Sequence, residues 1–462
     1  MKKRLISMFL AATLCVSMLA GCGDSPQESG STPAGGGSSQ PESQQSSGEA
    51  QSSVPESTGG AASDEQTPAG GEWHYTNVDS LENPNVTIYL YWDPKEFEQA
   101  AISEFEAKYG GKVTVEVVGW NKGANAIMTA MATGDIPDLV FTEGNARFPL
   151  DAANNLYQPI DAYLDYDVCD QASADAFLYR GGHYVYTNYA ITAPYLIIYN
   201  ATVFNEEALE TPTELFNKGE WTYDKFLEYM AHFTRDTDGD GEIDQWGLGP
   251  RFKRQNFASA NDAFMVYEVG DGKLAVGIDS EEVVQYYTFL NTFGTINTSC
   301  PGDSGWLESR ACVMFSEAGP SAGLSEDYTG SDEFDFVPLP TYDGRLATTP
   351  VWDNGYAMVA GAPNPEGAAV LASMICQKTM EAYDATLAAK YDEEQIARYR
   401  TIMEKIVPQR RNANCYQYNG QNVTVGAGEG EALKGEPAQT VIETYQKQLE
   451  NEVAAYNLFI GQ

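Results

Sequence analysis

The folded part of this chain is predicted to be an α/β protein with a mainly parallel sheet, divided into two domains. The order strand, helix, strand, helix, strand runs from Val86 to Phe141, and repeated βαβ units require a parallel sheet covered by helices on both faces. About 390 residues follow an N-terminal segment that has no means of building a core, more than one hydrophobic core usually organises.

Val86 to Tyr91 alternates Val, Ile and Leu with Thr and Tyr, the period of a strand. Lys95 to Tyr109 places Ile102, Phe105 and Tyr109 at helical spacing, and Gly110-Gly111 supplies the stop. Lys112 to Val118 alternates again, with Val113, Val115 and Val117 on one face. A second helix, Ala124 to Thr133, ends at Gly134, and Leu139-Val140-Phe141 is the third strand. In such sheets ligands sit beyond the carboxyl ends of the strands, which here carry Trp92-Asp93, Trp120-Asn121 and Thr142-Glu143-Gly144-Asn145. Further on, Trp221 to Phe233 is an amphipathic helix with Thr222 as N-cap, and Thr440 to Phe459 is a last packed helix.

Before the folded part, Met1-Lys2-Lys3-Arg4 precedes an apolar run from Leu5 to Ala20. That run is shorter than the roughly 20 residues that span a bilayer and has the layout of a signal peptide, residues 1–21. Leu19-Ala20-Gly21-Cys22 resembles the lipobox of bacterial lipoproteins, which implies a lipid on Cys22 and membrane attachment through it. Residues 22–72 are mostly Gly, Ser, Pro, Gln, Glu and Ala, a composition that cannot offset its ordering entropy and reads as a tether.

The formal charge of −39 excludes nucleic acid and anionic lipid as partners, since both need clustered Lys and Arg. Cys169, Cys300, Cys312, Cys376 and Cys415 are widely spaced and contain no CxxC, so buried free thiols are expected, with one bridge between Cys300 and Cys312 left open.

Several short stretches, in shared order from Val86 to Met380, carry a resemblance. They include Met131 to Val140 with its Gly134-Asp135-Ile136-Pro137-Asp138 core, Leu156 to Ile160, Tyr199-Asn200 with Phe204, Trp221 to Phe226, Ala311 to Met314 and Phe336 to Pro340. Together they resemble the extracellular solute-binding proteins of ABC transporters, in the branch that takes sugars and oligosaccharides. Gly319-Pro320-Ser321 departs from the Gly-Pro-Trp common there. The resemblance implies a two-lobed periplasmic-binding-protein fold of type II, with a hinge and an inter-lobe cleft. Lobe 1 would comprise 82–195 and 333–376, and lobe 2 would comprise 196–332 and 377–462. It also implies a carbohydrate ligand, the transmembrane subunits of an ABC permease as partner, a monomer at the outer face of the cytoplasmic membrane, and no catalytic cofactor.

Sugars present hydroxyls and an apolar C–H face, so a site needs an aromatic platform and fixed polar partners. Trp92 and Asp93 at a strand end, Glu143 and Asn145 after the third strand, and Trp352-Asp353-Asn354 are the first-lobe candidates. Arg254, Asn256 and Trp306 are those of the second lobe, and Trp221 is assigned to core. Asp236, Asp238, Asp240, Glu242 and Asp244 occupy positions 1, 3, 5, 7 and 9 of an EF-hand-like calcium loop with Gly241 at position 6, but Gly247 stands where the twelfth-position acid belongs. A structural calcium ion and an acidic turn without metal are both compatible with this pattern.

Enzyme motifs are weaker. Gly302-Asp303-Ser304-Gly305 resembles a serine-protease nucleophile segment, but none of His74, His183 and His232 lies in the matching histidine motif. A glycan hydrolase needs only two placed carboxylates and stands as the alternative, beside a receptor that presents ligand to a membrane sensor.

Overall fold

The computed structural model describes residues 73–460 except 120–121, 144–147, 251–252, 271, 297–299, 301–306, 321–323, 325–327, 347, 353, 409–415 and 419–420. Of Glu143 and Trp352 only the backbone is described. The signal peptide, Cys22, the tether, Trp120, Asn121, Asn145, Trp306, Asp353, the Gly302–Gly305 motif and Cys415 lie outside the described residues.

The opening units fold as their periodicity dictates. Strand β1 (Val86–Leu90) leads into a helix Glu96–Tyr109, β2 (Val113–Val117), a helix Gly123–Thr133 and β3 (Leu139–Glu143). Both helices stop at a glycine in the left-handed region, Gly110 at φ 72° and Gly134 at φ 86°, where a Cβ would be strained. β1 pairs in parallel with β2 and β3. Further strands are β4 (Leu178–Tyr179), β5 (Gly182–His183), β6 (Val185–Tyr186), β7 (Ala193–Asn200), β8 (Trp246–Leu248), β9 (Val266–Gly270) and β10 (Lys273–Val276). After them come β11 (Cys312–Ala318), β12 (Phe334–Pro338), β13 (Thr349–Trp352), β14 (Asn354–Met358) and β15 (Ile406–Pro408).

Two sheets divide the molecule into two lobes. The first has the order β2-β1-β3-β14-β6, and the second has β15-β13-β7-β11-β8 with β12 also on β7. The mainly parallel pattern expected holds for β1 to β3; β14 and β6 join antiparallel, and the second sheet is mixed. Each sheet is covered on both faces. Ile88, Leu90, Phe141 and Tyr356 pack under the first helix and the long Pro365–Lys390 helix, while Tyr89, Val140, Val185 and Ala357 face the other side with Phe148 and Tyr179. The second sheet buries Ile197 and Tyr199 against Phe226, Phe257 and Phe289, and Leu196 and Ile198 against Phe336 and Tyr399. Trp221 belongs to that core: it is 2% exposed and its Nε1 donates to the Pro338 carbonyl at 2.9 Å.

The sheets correct one boundary. Lobe 1 was expected to resume at residue 333, yet β12 and β13 both hydrogen-bond to β7 in the second sheet. The chain therefore leaves the first sheet between Tyr186 and Ala193 and returns between Trp352 and Asn354. It crosses a third time along the Pro365–Lys390 helix, whose early residues pack in the first lobe and whose Leu387 packs in the second. Thr187 Oγ1 donates to the Asn354 carbonyl at 2.6 Å, tying the first two crossings together.

The four described cysteines of the folded part are buried, and none forms a disulfide with another of them. Cys169 and Cys376 meet in the first lobe with sulfurs 3.8 Å apart; Cys300 and Cys312 share the second lobe's core. Among the described residues no helix is long and apolar enough to cross a membrane.

Candidate functional site

Where the strands of the first sheet end, the period of β1 carries the series Val86, Ile88, Leu90 on to Trp92, so the indole continues the face that packs beneath the long helix. Trp92 lies against Phe141 of β3, ring centres 4.7 Å apart, and Phe141 against Tyr356 of β14 at 5.4 Å. The Lys95 ammonium stands 4.3 Å over the Trp92 ring, an attraction between cation and π face. Burial lowers the Lys95 pKa against the pull of Glu98.

These residues wall a cavity of about 340 Å³, with Asn354, Tyr383 and Thr379 completing the polar and aromatic lining. Its floor is fixed by Glu98, a buried carboxylate that accepts from Lys95 N at 2.6 Å and from Tyr356 Oη at 2.6 Å. Asn354 pairs with Glu143 across β14 and β3 at this same edge, and its Oδ1 is buried with no hydrogen-bond partner among the described residues. Buried amide oxygens are normally paired, and the adjacent Trp352 side chain and Asp353 lie outside the described residues.

The structure thus brings Trp92 and Asn354 to one cavity, with Asp93 exposed beside it and the Glu143 backbone at its edge. Of the second-lobe candidates, Trp306 lies outside the described residues, and Arg254 and Asn256 do not line that cavity. Arg254 faces Glu429, with Nε 4.0 Å from the carboxylate. Asn256, expected at the ligand, is 1% exposed, because the turn of helix Arg254–Ala260 that carries it also buries Phe257 in the core. Its neighbour Lys253 is tied to the second sheet: Nζ donates to Tyr195 Oη of β7 at 2.9 Å and lies 4.0 Å from Glu317 of β11. Sequence spacing missed Lys95 and Tyr383, which line the cavity. Lys95 opens the first helix directly after the strand-end motif, a signal that was available; Tyr383 lies deep in a long helix and is placed only by tertiary packing.

The acidic loop is closed by a backbone bridge between Arg235 and Gln245. Within it the Asp236 carboxylate accepts from Gly241 N at 2.7 Å and Gly239 N at 2.6 Å, and these two donors hold it below the ordinary carboxylate range. Oxygens of Asp236, Asp238 and Asp244 lie within 4.8 Å of one another, a convergence that suits a hard cation. Asp240 and Glu242 stand outside that group; Asp240 accepts from Glu242 N at 2.8 Å. The glycine at the twelfth position has a packing cause: a Cβ at Gly247 would come 2.5 Å from Met230 Cα, since β8 lies directly on the Tyr223–Phe233 helix.

Comparison with known proteins agrees with this architecture. A family model described as bacterial extracellular solute-binding protein matches residues 91–375. The chain belongs to that family. No match is found among curated protein sequences. Among solved structures it is similar to an ABC substrate-binding protein from Listeria monocytogenes in complex with cycloalternan, at 17% identity and TM-score 0.57, covering 82% of this chain and 99% of that one. It is also similar to an extracellular solute-binding protein from Staphylococcus aureus in complex with maltose, at 15% identity and TM-score 0.59, covering 81% and 97%. A third, UgpB from Mycobacterium tuberculosis in complex with glycerophosphocholine, has 14% identity and TM-score 0.58, covering 80% and 98%. These neighbours share the two-lobed fold of type II binding proteins.

Proposed function

We propose that this protein is the lipid-anchored substrate-binding subunit of an ABC importer, which captures a sugar or oligosaccharide between its lobes and hands it to the permease. The observation that carries the reading is the aromatic cavity at the strand ends: Trp92, Phe141, Tyr356 and Tyr383 with the buried amide of Asn354, whose Oδ1 has no partner among the described residues, at the point where the chain crosses between lobes. Apolar ring faces suit the C–H face of a pyranose, and a fixed acceptor selects a hydroxyl. Several structural neighbours carry bound oligosaccharides. Two lobes joined by three crossings supply the hinge, and ligand that touches both lobes stabilises the closed form the permease would recognise. The expected lipid on Cys22 and the tether keep the domain near that partner.

The test is a thermal-shift screen of the mature chain against glycans, amino acids, peptides and glycerophosphodiesters. One glycan class should stabilise it, by about 2.7 kcal/mol at a hundredfold excess over Kd. Stabilisation by a non-sugar alone would overturn the substrate class, and cleavage of the glycan would replace binding by hydrolysis.

We further propose that the loop Asp236–Asp244 takes a structural calcium ion, through Asp236, Asp238 and Asp244 with Asp240 and Glu242 as the remaining oxygen donors. Calcium should then raise the melting temperature, and Asp236→Ala or Asp238→Ala should remove the response. An equal rise in parent and variants would show that the ion acts elsewhere.

A further inference from the structure

Besides the three crossings, the lobes touch at a place that no crossing explains. On the first lobe, Tyr179 at the end of β4 packs with Phe148, Phe177 and Tyr184 in the core beneath the sheet. The β4–β5 turn is held from below by His183, whose Nδ1 meets Asp161 at 2.8 Å and whose Nε2 meets Asp175 at 3.0 Å. On the second lobe, the β9–β10 hairpin is fixed to the Ala438–Ile460 helix by a reciprocal pair: Leu274 N donates to Asn457 Oδ1 and Asn457 Nδ2 donates to the Leu274 carbonyl, both at 2.8 Å. Each side is therefore a stiff body.

The two bodies meet through three groups. Gly272, at φ 71° beside the hairpin turn, receives the Tyr179 ring so closely that a Cβ at 272 would stand 2.7 Å from Tyr179 Cε2. Arg180 Nη2 donates to the Ile460 carbonyl at 3.1 Å, a cation on the carbonyl end of a helix, where the dipole favours it. Burial, opposed by Arg180 and aided by the Glu268 carboxylate of β9, raises the Tyr179 phenol above its ordinary value, which records the proximity of the two hairpins. The nearest neighbours in sequence on both sides, Leu178 on one lobe and Val269 and Phe459 on the other, are exposed apolar residues.

We infer that the β4–β5 turn and the β9–β10 hairpin with the end of the last helix form a clasp, which holds the lobes together by protein contacts alone and sets how much of the protein stands closed. Tyr179, Arg180 and Gly272 are positioning residues for ligand, acting through lobe closure rather than by touching it. A contact that favours the closed form raises apparent affinity by the fraction of closed molecules it adds.

The affinity consequence rests on the proposed ligand site, but the closure itself does not, so the two are measured apart. Nitroxide labels at Met128→Cys and Thr288→Cys, one on each lobe, with Cys415→Ser, report the inter-lobe distance in the mature chain carrying Cys22→Ser, without any glycan. The parent should give one narrow distribution; Arg180→Ala and Gly272→Val should each add a longer-distance population. With the glycan found by the screen, both variants should bind about five-fold more weakly, in proportion to the closed fraction lost. Arg180 lies at the surface and Gly272 on the opposite lobe, so loss of the first-lobe core would not mimic the result. Unchanged distance distributions in both variants would overturn the clasp, whatever the screen finds. Longer distances with unchanged affinity would keep the clasp and remove its role in binding.

Discussion

Alanine in place of Trp92 should weaken glycan binding by about 2 kcal/mol, roughly thirty-fold, while phenylalanine there should retain most of it. The indole forms one wall of the 340 Å³ cavity and leans on Phe141, so its removal both deletes a stacking face and lets water into the site. It also frees Lys95, whose ammonium is held over that ring. Because Trp92 is only half buried, its loss should cost less in folding than in binding. Calorimetric titration of parent, Trp92→Ala and Trp92→Phe with the glycan from the screen separates these effects. A parental Kd in Trp92→Ala would move the ligand away from this cavity. Asn354→Ala offers an independent check through hydrogen bonding: an amide that lines the cavity disappears, with an expected loss of about 1 kcal/mol.

How much of this was legible in the sequence follows from how local each signal is. The first three strands and two helices were readable to within one or two residues, because alternation, helical spacing and a left-handed glycine all act within a single turn. Trp92 was readable as a strand-end residue for the same reason. The lobe boundary was not: residues 334–352 carry ordinary strand patterns, and only pairing with β7 shows which sheet owns them. Asn256 was misplaced because one helical turn decides between core and cleft, and the sequence shows the helix without its neighbours. Gly247 shows the reverse, a departure from a motif that becomes intelligible once Met230 is seen lying on it. Residues of the cavity that come from the long helix, such as Tyr383, are set by a packing between elements almost 300 residues apart.

The motif Gly134-Asp135-Ile136-Pro137-Asp138 was read as a resemblance, and the structure gives its last residue a physical task. Asp138 is buried, with one carboxylate oxygen accepting from Thr87 N and the other from Asn364 N, each at 2.8 Å. Thr87 lies in β1, and Asn364 caps the long helix, where its Oδ1 accepts from Gly367 N and its Nδ2 donates to the carbonyls of Asn83 and Asn85. One side chain therefore joins the start of β1, the start of β3 and the helix that later crosses to the other lobe. Asp138→Ala leaves two backbone donors without an acceptor and should cost about 3 kcal/mol of stability. Asp135, three residues earlier in the same motif, is exposed, and its alanine variant should stay within about 0.5 kcal/mol of the parent. Burial raises the Asp138 carboxyl above its ordinary 3.8 despite the two backbone donors. The sign of the linkage follows: a carboxyl raised on folding contributes most below 3.8, and that contribution falls as pH climbs through the raised value. Urea denaturation of parent, Asp138→Ala and Asp138→Asn across that range should show the parent's advantage over Asp138→Asn shrinking as pH rises. A constant difference would mean that the carboxyl titrates alike in the folded and unfolded chains, and Asp138→Ala matching Asp135→Ala would remove the residue from the framework that aligns the lobe with its hinge.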